Sequence, residues 1–152
     1  MPSSNPITSM SAARAIAVGL LMSTIMYSIA GTALLMLGIL PREGIADLPA
    51  ETDTIVNTAL TVAGFLAVAL SVPIRKVLDG QAPSGSAGFP IRARNMIVGM
   101  ALSEGAGAMG LVTAILTGSL SIPMILWGAA IGGCVLHFPT QRMLDDSGSD
   151  RR

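Results

Sequence analysis

Residues 15–40 run for 26 positions without a charged side chain. At about 1.5 Å of rise per helical residue, that run exceeds the roughly 20 residues needed to cross the hydrocarbon core of a bilayer. Three further apolar runs follow. Residues 55–74 carry no charge, residues 96–120 carry only Glu104, and a shorter run covers 122–138. In lipid every backbone N–H and C=O must bond within its own segment, which selects helices over open strands. The runs therefore predict an all-α membrane protein with four transmembrane helices. Charged residues make up 12% of the chain, about half the ~25% usual for a soluble domain.

The segments between the runs differ in charge. Residues 41–53 set Arg42 against Glu43, Asp47, Glu51 and Asp53, whereas 75–94 set Arg75, Lys76, Arg92 and Arg94 against Asp79. Arg14 precedes the first run and Arg142 follows the last. Basic residues flanking membrane helices stay on the cytoplasmic side. This predicts cytoplasmic N- and C-termini, a cytoplasmic middle loop, an outward acidic loop, and residence in a bacterial-type inner (plasma) membrane. Arg75, Lys76, Arg94 and Arg142 are placed to meet anionic lipid headgroups. The third connection, near 117–121, is an uncharged tight turn.

A weak internal repeat organises the runs. At an offset of 80, Arg14, Val18, Gly19, Ser23 and Gly38 fall on Arg94, Val98, Gly99, Ser103 and Gly118. At an offset of 66, Leu70, Pro73, Leu78 and Asp79 fall on Leu136, Pro139, Leu144 and Asp145. The reading is two duplicated helical hairpins in parallel orientation. It divides the chain into a cytoplasmic N-terminus over 1–14, a first hairpin over 15–78, a flexible basic loop over 79–93, a second hairpin over 94–144 and a disordered tail over 145–152. Pro73 and Pro139 are expected to end their helices.

Glu104 is the most informative residue. It follows Arg94 by ten positions, about 15 Å along a helix, and so falls near mid-membrane. A charge at a helix centre costs about 3 kcal/mol on the insertion scale, and ionisable groups so placed default to functional hypotheses. Glu104 is the expected proton- or ion-binding residue; the competing reading is a neutral acid making a structural hydrogen bond. Small residues recur beside it and elsewhere: Gly99, Ser103 and Gly107; Gly19 and Ser23; Gly128 and Gly132. Such residues let helix backbones approach closely, within one chain or between copies.

The run Arg94-Asn-Met-Ile-Val-Gly-Met-Ala-Leu-Ser-Glu-Gly-Ala-Gly-Ala-Met-Gly-Leu-Val-Thr-Ala-Ile-Leu resembles the acid-bearing helix of the proteolipid, or c, subunits of rotary ATP synthases. The resemblance covers about 25 residues by pattern and implies an ion-binding role for Glu104, with Gly110-Leu111-Val112 as the run that follows the acid. The chain departs from that family in its four helices, its long middle loop, and a second run whose only glycine is Gly64.

Other polar groups are read conservatively. Asn57 and His137 are interfacial, Trp127 and Tyr27 are packing or depth markers, and Cys134 is a structural thiol. One Cys and one His cannot build a metal site, and the three Phe, one Trp and one Tyr are too few for nucleic-acid stacking. No catalytic constellation, metal or cofactor is expected, and no enzymatic activity. The expected partners are the lipid bilayer, further copies or other membrane subunits, and a proton or monovalent cation. The leading expectation is an ion-translocating or ion-driven role; its rival is a structural or assembly subunit of a larger membrane complex.

Overall fold

The computed structural model describes residues 9–41, 44, 49–83 and 86–140. Among these are four α-helices: α1 (Met10–Met36), α2 (Ala50–Asp79), α3 (Phe89–Thr117) and α4 (Ser121–Leu136), with a short 3-10 turn at Ser86–Gly88. The fold is all-α. Three helices, Met10–Met36, Glu51–Asp79 and Phe89–Thr117, are long and apolar enough to cross a membrane. The fourth has 16 residues, about 24 Å, and is shorter than the other three. Arg42, Arg142 and the tail over 145–152 lie outside the described residues.

Local chemistry accounts for most helix ends. The Ser9 hydroxyl accepts from the Ala12 N–H at 3.2 Å and starts α1. Gly38 and Gly118 both adopt left-handed backbone conformations, with φ of 67° and 64°. Each follows a helix and turns its chain with no Cβ penalty, which gives this pair of matching repeat positions a common physical cause. After Gly118 the turn into α4 is tight and uncharged, as expected. α4 ends at Leu136, three residues before Pro139.

Pro73 does not end α2; it lies inside the helix, which continues to Asp79. The last turns beyond it are held by one side-chain bond within the helix and one from α3. Arg75 Nε donates to Asp79 Oδ2 at 3.3 Å, and Asn95 of α3 donates to Asp79 Oδ1 at 3.1 Å. The loop read over 79–93 is correspondingly shorter, because α3 already begins at Phe89 with a proline in its first turn.

The bundle is built around α3 and α4. Each packs on the other and on both α1 and α2, while α1 and α2 form no packed pair. The two outer helices therefore flank the central pair on opposite sides. The two-hairpin order holds along the chain, but the packing is not duplicated: α3 lies against α4 as α1 does not against α2. The registers nevertheless follow the repeat. α1 runs parallel to α3, with Gly31 against Leu111 and Ser23 bonded to Glu104. α2 runs parallel to α4, with Ser71 bonded to His137 at a separation of 66 residues.

One end of the bundle gathers Arg14, Arg75, Lys76, Arg92 and Arg94 and is called the basic end; Glu51 and Asp53 open α2 at the acidic end. Near the basic end, Ala13 and Ala17 of α1 pack with Ala93, Met96 and Met100 of α3 and with Cys134 of α4. Small residues on α1 admit the long methionines of α3. Between lipid-exposed helices the hydrophobic effect gives little net drive, so this complementarity and the polar bonds hold the helices together.

Farther along, Trp127 is 3% exposed and donates its indole N–H to the Gly107 carbonyl at 3.1 Å. It fits because Gly31 and Gly110 lack side chains: a Cβ there would stand 2.7 Å and 2.8 Å from the indole. Gly31→Val and Gly110→Val are each expected to lower stability in detergent by about 1–3 kcal/mol through overpacking. Gly128→Val, where a Cβ meets nothing within 4 Å, should stay within about 0.5 kcal/mol. Fluorescence of the single tryptophan during denaturant unfolding measures all three.

Candidate functional site

Glu104 is the sixteenth of the 29 residues of α3, at its midpoint. It is half-buried and faces α1. Two hydroxyls converge on its Oε1: Ser23 makes a short hydrogen bond, and Tyr27 donates at 3.2 Å. Gly107, one turn on, lets α1 approach, with a would-be Cβ 3.1 Å from the Thr24 methyl. Carboxylate and hydroxyls therefore meet because the helices pack in parallel and in register.

Proton counting defines what this arrangement can do. A serine hydroxyl has one hydrogen and two lone pairs. Ser23 Oγ is within bonding distance of both Glu104 Oε1 and the Leu20 carbonyl, the latter at 2.9 Å. With Glu104 ionised, Ser23 donates to the carboxylate. With Glu104 protonated, the acid can donate to Ser23 while Ser23 donates to Leu20. The Leu20 carbonyl also accepts from Thr24 at 3.0 Å, so it keeps a partner in both states. The site accommodates gain or loss of one proton by turning a single hydroxyl.

A second polar cluster joins α2, α3 and α4 nearer the basic end. His137 is 2% exposed, and its ring lies against Gly99, where a Cβ would meet three ring atoms at 3.0 Å. Arg75 Nη1 lies 3.2 Å from His137 Nδ1, and Ser71 Oγ lies 2.8 Å from Nε2. A guanidinium only donates, so Nδ1 accepts and Nε2 carries the hydrogen. Ser71 takes that hydrogen bond and passes its own proton to the Val68 carbonyl at 2.7 Å. Arg75 Nη1 also meets the His137 carbonyl at 3.2 Å, capping the carbonyl end of α4, where a cation is favoured. Asp79 supplies the opposite charge.

The structure thus brings Glu104 together with Ser23, and seats Gly99, Ser103 and Gly107 in helix contacts. A Cβ on Gly19, Gly128 or Gly132 would meet nothing within 4 Å. Lys76 and Arg94 are exposed at the basic end, whereas Arg75 turns inward to His137 and Asp79. His137 itself, read as interfacial, is buried. The available signal was the 66-residue offset, which sets Ser71 over His137, the pair that hydrogen-bond. No group of three or more His, Cys, Asp or Glu placed to hold a metal occurs among the described residues.

The neutral form of His137 fits this cluster and the charged form does not, since a second N–H would point at the Arg75 guanidinium. Its stabilisation is complete above the ordinary histidine range, near about 6.5, and declines progressively as pH falls below it. Wild-type protein should unfold at lower denaturant on going from about pH 7.5 to pH 5.5. His137→Gln, which can keep a donor toward Ser71, should lose most of that dependence in parallel titrations. No protein-family model matches this chain, and no curated protein or solved structure shows significant similarity to it.

Proposed function

We propose that this chain is a small, proteolipid-like integral membrane protein in which Glu104 binds a proton or monovalent cation, contributing to ion translocation or to an ion-driven complex. The observation that carries this reading is the convergence of two hydroxyls on a carboxylate at the midpoint of a membrane-length helix. Burial in lipid makes a permanent charge costly, and the Ser23 exchange offers a low-cost way to alternate between states. The charge asymmetry between the two ends supports cytoplasmic termini in a bacterial-type inner membrane.

A structural or assembly role is the second reading, and one observation favours it. Gly19, Gly128 and Gly132 present small surfaces with nothing against them. Beside Gly128, an apolar groove of about 570 Å³ runs between α1 and α4, lined in part by Ile29, Ala33, Met36 and Met124. Another membrane helix would fit such a surface.

Carbodiimide labelling of the protein in lipid separates the readings. An ion-binding Glu104 should label selectively and faster at lower pH, with protection by a bound cation if the ion is not a proton. Ser23→Ala should shift the pH midpoint of labelling, because it removes one state-dependent partner. If Glu104 does not label at any pH, and Glu104→Gln leaves stability and cellular function unchanged, the assembly role replaces the ion-binding one.

A further inference from the structure

Two buried oxygens near the acidic end have no hydrogen-bond partner: Asn57 Oδ1 on α2 and Thr113 Oγ1 on α3. Their surroundings follow from the register. Gly64 of α2 packs on Ala106 of α3 and on Leu126 of α4. Residues seven apart share a helix face, so Asn57 lies two turns from Gly64 on the same stripe. Because α2 and α3 run antiparallel, Thr113 lies two turns from Ala106 in the same direction. Pro123, buried and lacking an N–H, stands one turn before Leu126. The register therefore sets both residues near the junction where α2, α3 and the start of α4 meet.

Each group departs from its ordinary behaviour in a helix. Thr24, Thr61 and Thr117 all donate to the carbonyl four residues back, at 2.7–3.0 Å. Thr113 does not, although it is fully buried. Asn57 leans its Nδ2 toward Asp53 Oδ2 at 3.4 Å; the reversed amide would set oxygen against carboxylate, so Oδ1 is the atom left over.

We infer that one ordered water bridges Asn57 Oδ1 and Thr113 Oγ1, donating to the amide oxygen and bonding the hydroxyl. A buried polar group left without a partner costs more than immobilising an ordered water, and here one water serves two groups, so a shared water is favourable. A metal cation is the poorer occupant, because two neutral oxygens replace little of the six- to eight-oxygen shell that a calcium-like ion takes. The bridge fixes the register of α2 against α3 at the end opposite His137. It is independent of the role assigned to Glu104.

The sign of single substitutions tests the bridge. With the water in place, Thr113→Val and Asn57→Leu each strand a partner and should lower the folding equilibrium constant about 5- to 150-fold. The double variant should fall less than the product of the two. Thr113→Ser should stay near wild type. Single variants that are neutral or more stable would overturn the inference, since removing an unbridged buried group relieves a cost. Stabilisation of the Glu104→Gln variant, which lacks the other carboxylate site, by sodium over choline at equal ionic strength would also overturn it, in favour of an ion. Should the variants fail to fold, wild-type protein ¹³C-labelled at threonine methyls gives a direct reading. A cross-relaxation peak between the Thr113 methyl and water is expected, and its absence counts against the bridge.

Discussion

Close approach of helix backbones along α3 is the condition on which the rest of the bundle rests. Lipid tails are as apolar as leucine, so an apolar face gains little by choosing a helix over lipid. Contact must come from shape and from polar bonds. Gly99, Gly107 and Gly110 create the needed room, and His137, Thr24 and Trp127 occupy it. The indole illustrates the economy of this solution: it fills space between α1 and α3 while its N–H satisfies a helix carbonyl. A side chain on either flanking glycine removes both gains at once.

Polar groups are distributed over this frame by face. Glu104 meets the hydroxyls of α1, whereas His137, Arg75 and Asp79 belong to the contact of α2 with α3 and α4. The two sets answer different electrostatic problems. At Glu104 the carboxylate meets two neutral hydroxyl donors. Around Arg75 the charge is balanced by Asp79 and spread over a histidine, a serine and an asparagine. The first arrangement suits change of state; the second suits permanence while the imidazole stays neutral.

Helix number, the tight third turn and the mid-helix position of Glu104 were legible in the sequence, because apolar runs of membrane length leave few alternatives. Helix ends were less so. Arg92 reads as a loop residue, yet it lies in the first turn of α3 at the basic end. Pro73 reads as a terminator, but contacts from Asp79 and Asn95 hold the helix beyond it. The inward turn of Arg75 was not legible, since a basic residue near a membrane-helix end has the same pattern whether it meets lipid or caps a neighbour. The repeat also carried spatial information: offsets near 80 and 66 describe which residues lie side by side. It did not predict the unequal pairing, because sequence offsets say nothing about which helices occupy the centre.

The lack of a packed contact between α1 and α2 has a mechanical consequence. The hydroxyls that hold the carboxylate ride on one outer helix, and the arginine lock rides on the other. A sideways displacement of α1 would rewrite what Glu104 touches, exchanging hydroxyls for lipid or solvent, and would break no bond made by α2. The molecule thus has two outer walls held independently of each other, with its acid facing one and its arginine cluster facing the other.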